Sequence, residues 1–153
     1  MEKVFISQNE EQTAMIASQL SELTQVGDVW ALHGTLGMGK SVFARAFIQN
    51  LTDAEEVPSP TFTLVQMYSA PSFEIYHYDL YRLEKPSEIF ELGVEETFYN
   101  GVCLVEWPEK MENLAPRNMW NVTFEQVENG RKITVLASDE NKVQRLQKWL
   151  NTK

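Results

Sequence analysis

Short apolar runs alternate along this chain with stretches in which apolar residues recur every three or four positions. The runs at residues 4–6, 29–32 and 102–105 predict β-strands. The apolar stripes within residues 14–23 and 41–51 predict two helices, one before and one after the second strand in the chain. This alternation of strands and helices indicates an α/β fold with a parallel centre.

Two antiparallel hairpins are predicted from turn residues that separate β-branched and aromatic runs. The first joins residues 61–68 to residues 73–80, and the second joins residues 119–127 to residues 131–137 across an Asn-Gly pair. We therefore expect an α/β fold whose mixed, mainly parallel sheet carries antiparallel hairpins, with residues 1–153 forming a single domain.

Helix ends are predicted from capping residues. Ser7 and the carboxylate three residues later have the spacing of a capping box, so we expect Ser7 to cap the first helix. Pro86 begins a short helix that Gly93 ends. Ser138 is expected to cap a final helix over residues 139–150.

The composition favours a globular protein of the cytoplasm. Apolar residues make up 43% of the 153 positions, which is enough for a core, and no apolar stretch is long enough to cross a membrane. The first residues lack the apolar region of a signal peptide. A single cysteine, Cys103, excludes an internal disulfide, and its place in an apolar strand predicts an inert core thiol.

The net charge of −9 makes direct binding to a nucleic acid backbone an unfavourable interpretation. It leaves room for a nucleotide, because a phosphate-binding loop is a local anion site built mostly from backbone N–H groups. An acidic surface is also suited to a basic patch on a protein partner.

A phosphate-binding loop is predicted between the second strand and the second helix. Its residues fit the pattern G-x-x-x-x-G-K-[ST], and they are Gly34-Thr35-Leu36-Gly37-Met38-Gly39-Lys40-Ser41. The glycines let the backbone close around phosphate oxygens, and the helix N-terminus adds unpaired N–H groups. Lys40 would place a positive charge on the phosphates, and Ser41 would offer a hydroxyl to Mg²⁺. With the α/β pattern, this loop indicates a P-loop NTPase-like three-layer fold.

A nucleoside triphosphatase also needs an acid near the metal, a group that orients water and a segment that senses the γ-phosphate. Glu106 ends an apolar strand, as a Walker B acid does, although the usual residue there is Asp. Asp79 has two possible interpretations, a role at this site or an exposed ion pair with Arg82. Thr61 also has two interpretations, a switch-like contact with the γ-phosphate or the ordinary start of a strand.

Two further residues lie close to these acids in the sequence. His77 should share a strand face with Asp79, and we interpret it as a hydrogen-bonded sheet residue rather than a metal ligand or a catalytic group. Trp107 follows Glu106 directly and could stack on a base or pack against a partner protein.

The motifs together resemble those of the bacterial TsaE family, formerly YjeE, over roughly residues 1–140. The set consists of the phosphate-binding loop, Ser59-Pro60-Thr61-Phe62, His77-Tyr78-Asp79-Leu80-Tyr81-Arg82 and Val105-Glu106-Trp107. Only the loop is specific by itself, but the order and spacing of all four are typical of this family. Two loop positions differ from the family's usual residues, since Thr35 replaces Asp and Ser41 replaces Thr.

The resemblance implies a weak ATPase that binds ATP or ADP with Mg²⁺. It would act with the proteins TsaD and TsaB in the threonylcarbamoyl modification of tRNA adenosine 37, and any contact with tRNA would depend on those partners. The implied catalytic residues are Lys40, Asp79, Glu106 and Thr61, with Ser41 and Glu106 at the metal. The implied nucleotide-binding residues are Thr13, Gly34, Thr35, Leu36, Gly37, Met38, Gly39, Lys40, Ser41, Val42 and Trp107.

Two other functions fit the phosphate-binding loop. A small-molecule kinase would suit the size, but arginines are sparse after the loop and no arginine-rich lid is evident. A non-hydrolysing module would use ATP only to set the shape that a partner recognises.

Overall fold

One sheet organises the part of the chain that the computed structural model describes, which is residues 1–35, 39–60 and 64–152. Its strands are β1 (Glu2–Ser7), β2 (Val29–His33), β3 (Val65–Ser69), β4 (Glu74–Asp79), β5 (Gly101–Glu106), β6 (Trp120–Val127) and β7 (Gly130–Leu136). The order across the sheet is β1-β7-β6-β2-β5-β4-β3.

The centre of this sheet is parallel and its two edges are antiparallel. Strand β2 pairs in parallel with β5 and β6, and β5 pairs in parallel with β4. The edges are the β3–β4 hairpin on one side and β6–β7 with β1 on the other. The prediction of an α/β protein with a mixed sheet and antiparallel hairpins is confirmed. The carboxyl ends of β2, β4 and β5 consequently meet at one edge, where ligands bind in such sheets.

Helices cover both faces of the sheet. They are α1 (Glu10–Ser21), α2 (Lys40–Leu51), α3 (Val94–Asn100) and α4 (Glu140–Asn151), with 3₁₀ helices at Pro86–Leu92 and Pro108–Leu114. Helices α1, α2 and α4 pack on one face, and α3 with the 3₁₀ helices packs on the other. In the described ranges, no helix combines the length and the apolar character that a membrane span requires.

Strand β5 shows why both faces need covering. Val102 and Leu104 pack with α1 and α2, whereas Cys103 and Val105 pack with the 3₁₀ helices, and all four are fully buried. The prediction of a central strand covered on both sides is confirmed, because a strand without polar positions has no face to turn to water.

The cap of α1 differs from the prediction. The side chain of Asn9, not of Ser7, accepts the hydrogen bond from the backbone N–H of Gln12, at 2.9 Å. Ser7 is the last residue of β1, and its buried hydroxyl lies 2.6 Å from the Thr13 hydroxyl. The strand therefore uses Ser7 in the sheet and leaves capping to the extended residue that directly precedes the helix.

The cap of α4 also differs from the prediction. Asp139 accepts the hydrogen bond from the backbone N–H of Lys142 at 2.8 Å, and Ser138 is exposed. The sequence predicts Asp139 as the first residue of the helix, where its carboxylate would compete with the backbone for hydrogen bonds. In the structure Asp139 is the cap, and its carboxylate accepts from an N–H group that has no partner within the helix.

The first hairpin is shorter than predicted at its start. Strand β3 begins at Val65, and Leu64 before it has a positive φ of 68° with its N–H donating to the carbonyl of Pro60. This turn cannot continue an extended strand. Residues 61–63 of the predicted strand lie outside the described residues. The second hairpin turns at the predicted Asn-Gly pair, where Asn129 has a φ of 68°.

Candidate functional site

Helix α2 begins with an open N-terminus at the carboxyl edge of the sheet. Gly39 precedes it with a φ of 97°, a conformation that residues with a Cβ rarely adopt, and no side chain of the described residues caps the helix. The first N–H groups of an uncapped helix lack partners and form an anion-binding site. Helix α2 therefore presents the end that a phosphate group requires.

Lys40 is the first residue of α2 and is only 4% exposed. Its Nζ donates a 2.7 Å hydrogen bond to the carbonyl of Gly34, across the loop. Burial lowers the pKa of Lys40 below its ordinary value, while the carboxylates of Glu106, Glu109 and Asp79 partly oppose that effect. A buried ammonium that donates to a loop carbonyl is well placed to bind an anionic ligand.

Two carboxylates end neighbouring parallel strands beside this lysine. Asp79 of β4 is paired in register with Glu106 of β5, and the residues are 6% and 5% exposed. The Nε2 atom of His77 lies 2.7 Å from a Glu106 carboxylate oxygen. The backbone N–H of Tyr81 donates to Asp79 at 3.0 Å.

Trp107 turns the chain sharply after β5 and lies over Lys40. Its φ of 59° is left-handed, and its ring centre lies 4.0 Å from the Lys40 Nζ atom. The ring of Tyr81 packs against the indole at 4.9 Å between centroids. The turn brings an aromatic side chain from the end of β5 onto the side chain that begins α2.

A cavity of about 310 Å³ opens between the beginnings of α1 and α2, the end of β5 and the β6–β7 turn. The residues that line it include Thr13, Lys40, Ser41, Val42, Glu106 and Arg131. The β6–β7 turn lies close to the end of β1 because Gly130 has no side chain. A Cβ at this position would collide with the carbonyl of Ser7. The cavity is large enough for part of a nucleotide next to the uncapped helix.

The structure brings most of the predicted site residues to this edge. The cavity is lined by Thr13, Gly39, Lys40, Ser41, Val42 and Glu106. Gly34, Asp79 and Trp107 adjoin it through Lys40 and Glu106, whereas Thr35 is exposed. The predicted residues Leu36, Gly37, Met38 and Thr61 lie outside the described residues. The roles of all these residues stay predictions.

The oxygen atoms available as ligands at this edge fit a magnesium ion. The Ser41 hydroxyl and the Glu106 carboxylate present hard oxygen atoms to the same cavity. Among the described residues, no group of three or more His, Cys, Asp or Glu side chains could hold a metal. A cation here would need phosphate and water oxygens as additional ligands, as Mg²⁺ in nucleotide sites usually does.

Several residues at the edge were not predicted as parts of the site. Ser7 and Arg131 line the cavity, and Tyr81 supports Trp107. Ser7 could have been recognised from its position between β1 and α1, because Thr13 of α1 was expected at the phosphate-binding loop and Ser7 lies at the same end of α1. Arg131 follows the predicted Asn-Gly turn, but nothing in the sequence indicates that this turn would lie beside the loop.

The sequence matches a family model and several relatives. The model is that of the threonylcarbamoyl adenosine biosynthesis protein TsaE, over residues 7–133. The tRNA threonylcarbamoyladenosine biosynthesis protein TsaE of Rickettsia conorii is 37% identical over 132 residues, which cover 86% of this chain and 75% of the relative. The protein of the same name from Bacillus subtilis is 37% identical over 131 residues, which cover 84% and 82%.

The fold is similar to that of a solved structure as well. The crystal structure of Bacillus subtilis YdiB superimposes with a TM-score of 0.84 and is 27% identical in sequence, with coverage of 99% of this chain and 96% of that one. Together with the family model, these similarities show that the chain belongs to the TsaE family of threonylcarbamoyl adenosine biosynthesis proteins.

Proposed function

We propose that this protein binds ATP with Mg²⁺, hydrolyses it slowly when alone, and acts with TsaD and TsaB in the threonylcarbamoyl modification of tRNA adenosine 37. Relatives at 37% identity carry the name of tRNA threonylcarbamoyladenosine biosynthesis proteins, which supports the pathway. The chemistry rests on the candidate site of this chain.

The observation that carries the proposal is the arrangement around Lys40. One cavity contains this buried lysine, an uncapped helix N-terminus and the Glu106 carboxylate, and Asp79 stands next to Glu106 on the adjacent strand. A cradle for phosphates beside two acids at strand ends is the arrangement that phosphoryl transfer requires. Beyond phosphate binding, hydrolysis needs groups that hold Mg²⁺ and orient the attacking water, and the two buried acids can supply them.

Each residue has a defined part in this proposal. Lys40 would exchange the Gly34 carbonyl for a phosphate oxygen, and the N–H groups of the first turn of α2 would bind the phosphates. Ser41 and Glu106 would hold Mg²⁺, which when bound offsets the negative charge on the phosphates. Asp79 and Glu106 are the two groups available to orient the attacking water.

The contacts of Lys40 support the slow turnover that we propose for the isolated chain. The ammonium already donates to Gly34 and lies against Trp107, so a nucleotide must compete with both contacts before the site is complete. A partner that moved Trp107 would remove one of these contacts. The proposal therefore expects the rate to respond to TsaD and TsaB.

The test is Mg²⁺-dependent release of phosphate from ATP by the pure chain, alone and with TsaB and TsaD. We expect slow hydrolysis that changes in the presence of the partners and is lost in Lys40→Ala, with Lys148→Ala on the exposed face of α4 as a matched control. A rate of ATP hydrolysis that is the same with and without TsaB and TsaD would contradict the proposed complex.

Variants of Glu106 separate the proposal from its alternatives. Glu106→Ala should still bind ATP but fail to support tRNA modification, whereas retained modification would favour a non-hydrolysing module. Phosphate transferred to an added small molecule, with no hydrolysis in its absence, would favour a kinase.

The proposal also expects the isolated chain to bind tRNA weakly, because its net charge is −9. Fluorescence anisotropy of labelled tRNA at several salt concentrations measures this. Strong binding that falls steeply with salt would contradict a dependence on partners for RNA contact.

A further inference from the structure

His77 is a buried polar residue that the proposed chemistry does not yet use. It lies in the middle of β4 and is 2% exposed, and its Nε2 atom is 2.7 Å from an oxygen of Glu106. Only 3% and 6% of the two side-chain surfaces are exposed. An apolar residue would fill this position without any need for a partner, so the hydrogen bond is the feature that calls for an explanation.

The sheet register explains how the two side chains meet. His77 is paired with Leu104, so Glu106 lies two residues further along β5 on the same face. Asp79 is the direct neighbour of Glu106, and of the carboxylates near Lys40 it is Glu106 whose charge most strongly opposes the lowering of the Lys40 pKa by burial. Glu106 thus lies between a like-charged neighbour that repels it and a cation that attracts it.

Glutamate has three rotatable side-chain bonds, so its position in this environment needs to be fixed. Without His77, the attraction of Lys40 would draw the Glu106 carboxylate onto the ammonium, where it would compete with the phosphates. The hydrogen bond from His77 holds one of the two Glu106 carboxylate oxygens in place. Orienting partners of this kind commonly control how a ligand or a base presents its reactive atom.

We propose that His77 is a positioning residue, which donates from Nε2 to Glu106 and holds this carboxylate in the orientation that ATP hydrolysis needs. The inference rests on the proposed ATPase activity. A carboxylate can only accept, so the proton of this hydrogen bond belongs to the imidazole Nε2. Nδ1 is buried without a partner among the described residues, so the hydrogen bond at Nε2 is the polar contact that orients the ring.

The proposal predicts a separation between binding and turnover. His77→Leu removes the donor and should lower kcat by about tenfold or more, with KM and the nucleotide Kd within roughly twofold of the wild-type values. His77→Gln places an amide N–H close to the position of Nε2, and it should restore kcat to within about threefold of the wild type.

Tyr78→Phe is the matched control for the loss of a buried hydrogen bond. Tyr78 is the next residue of β4, points to the opposite face and bonds to the Thr97 hydroxyl at 2.8 Å. This variant should retain the wild-type kcat. Equal losses of kcat in His77→Leu and His77→Gln, or a rise in KM at constant kcat, would overturn the positioning role.

A second measurement does not depend on catalysis. In the ¹⁵N spectrum of labelled histidine at one fixed pH, His77 should show a proton on Nε2 that exchanges slowly with water, and this protection should be lost in Glu106→Ala. The chain has two histidines, so the signal that disappears in His77→Gln identifies the residue. An unchanged His77 signal in Glu106→Ala would refute the proposal. If wild-type protein fails to hydrolyse ATP while this spectrum changes as expected, the proposed activity fails and the hydrogen bond stands.

Discussion

The Nζ atom of Lys40 lies 4.0 Å from the centre of the Trp107 indole ring, so the first residue of α2 is covered by the residue that follows β5. Tyr81 packs on the indole and limits its movement. A contact between a cation and an aromatic face is worth roughly 0.5–2 kcal/mol. The environment of Trp107 is therefore linked directly to whatever Lys40 binds.

Trp107 should report nucleotide binding by its fluorescence. When Lys40 turns to a phosphate, its charge moves relative to the indole, and we expect the emission of the protein to change on addition of ATP. A titration of intrinsic fluorescence measures this, and Trp107→Phe should abolish the change. A change that persists in Trp107→Phe would place the signal on Trp30, Trp120 or Trp149 instead.

A buried ion pair ties α4 to the loop before β2. Arg145 donates to the two oxygens of Asp28 at 2.9 and 2.7 Å, and Asp28 also accepts from the backbone N–H of Gln25 and the hydroxyl of Thr24. Asp28 is 4% exposed. The pair lies away from the cavity, so its contribution should concern stability alone.

Removal of Arg145 should destabilise the fold strongly. Arg145→Ala leaves the Asp28 carboxylate buried without its cation, and we expect the free energy of unfolding to fall by about 3 kcal/mol or more. Urea unfolding followed by circular dichroism measures the change. Lys148→Ala, on the exposed side of α4, should alter it by less than about 0.5 kcal/mol. A similarly small effect of Arg145→Ala would contradict the buried pair.

The Asp139 cap should make the stability of the protein depend on acid pH. Burial tends to raise the pKa of Asp139, but the hydrogen bonds from Lys142 and the charges of Lys142 and Arg145 outweigh it and hold the pKa below 3.8. Because the pKa is lower in the folded state, the carboxylate stabilises the fold above its unfolded pKa, and this contribution disappears as the pH falls through the folded pKa.

Two substitutions of Asp139 test the cap. Asp139→Ala should reduce the free energy of unfolding by about 1 kcal/mol at neutral pH, and the difference from wild type should shrink below pH 3.8. Asp139→Asn keeps an acceptor for the Lys142 N–H, so it should cost less. Denaturation curves at several pH values measure both effects. A difference between Asp139→Ala and wild type that is independent of pH would contradict a contribution from the charge.

Cys103 should be unreactive in the folded protein. It is fully buried in β5, and burial raises the pKa of its thiol to about 12. Because the thiolate is the reactive form, labelling by a disulfide reagent at pH 8 should be roughly a thousandfold slower than in urea. The signal is unambiguous, since the sequence contains one cysteine. Rapid labelling without denaturant would show that β5 opens locally.

The contributions of sequence and structure differ most clearly at the helix caps. Both caps were predicted one or two residues too early, at Ser7 and Ser138, because several residues with capping side chains stand in a row. Which of them caps depends on where the preceding strand ends and where its last side chain is buried. Tertiary packing decides that, so propensity alone could not separate Ser7 from Asn9.

Local patterns determined the strands around the candidate site, the mixed sheet and the beginning of α2, because they depend on the chemistry of consecutive residues. The tertiary structure decided which side chains share the site. Only the register of β4 on β5 places Asp79 and His77 beside Glu106, and only the left-handed turn at Trp107 brings the indole onto Lys40. These contacts join residues far apart in the chain, and such distances follow from the packing of whole elements rather than from any local preference.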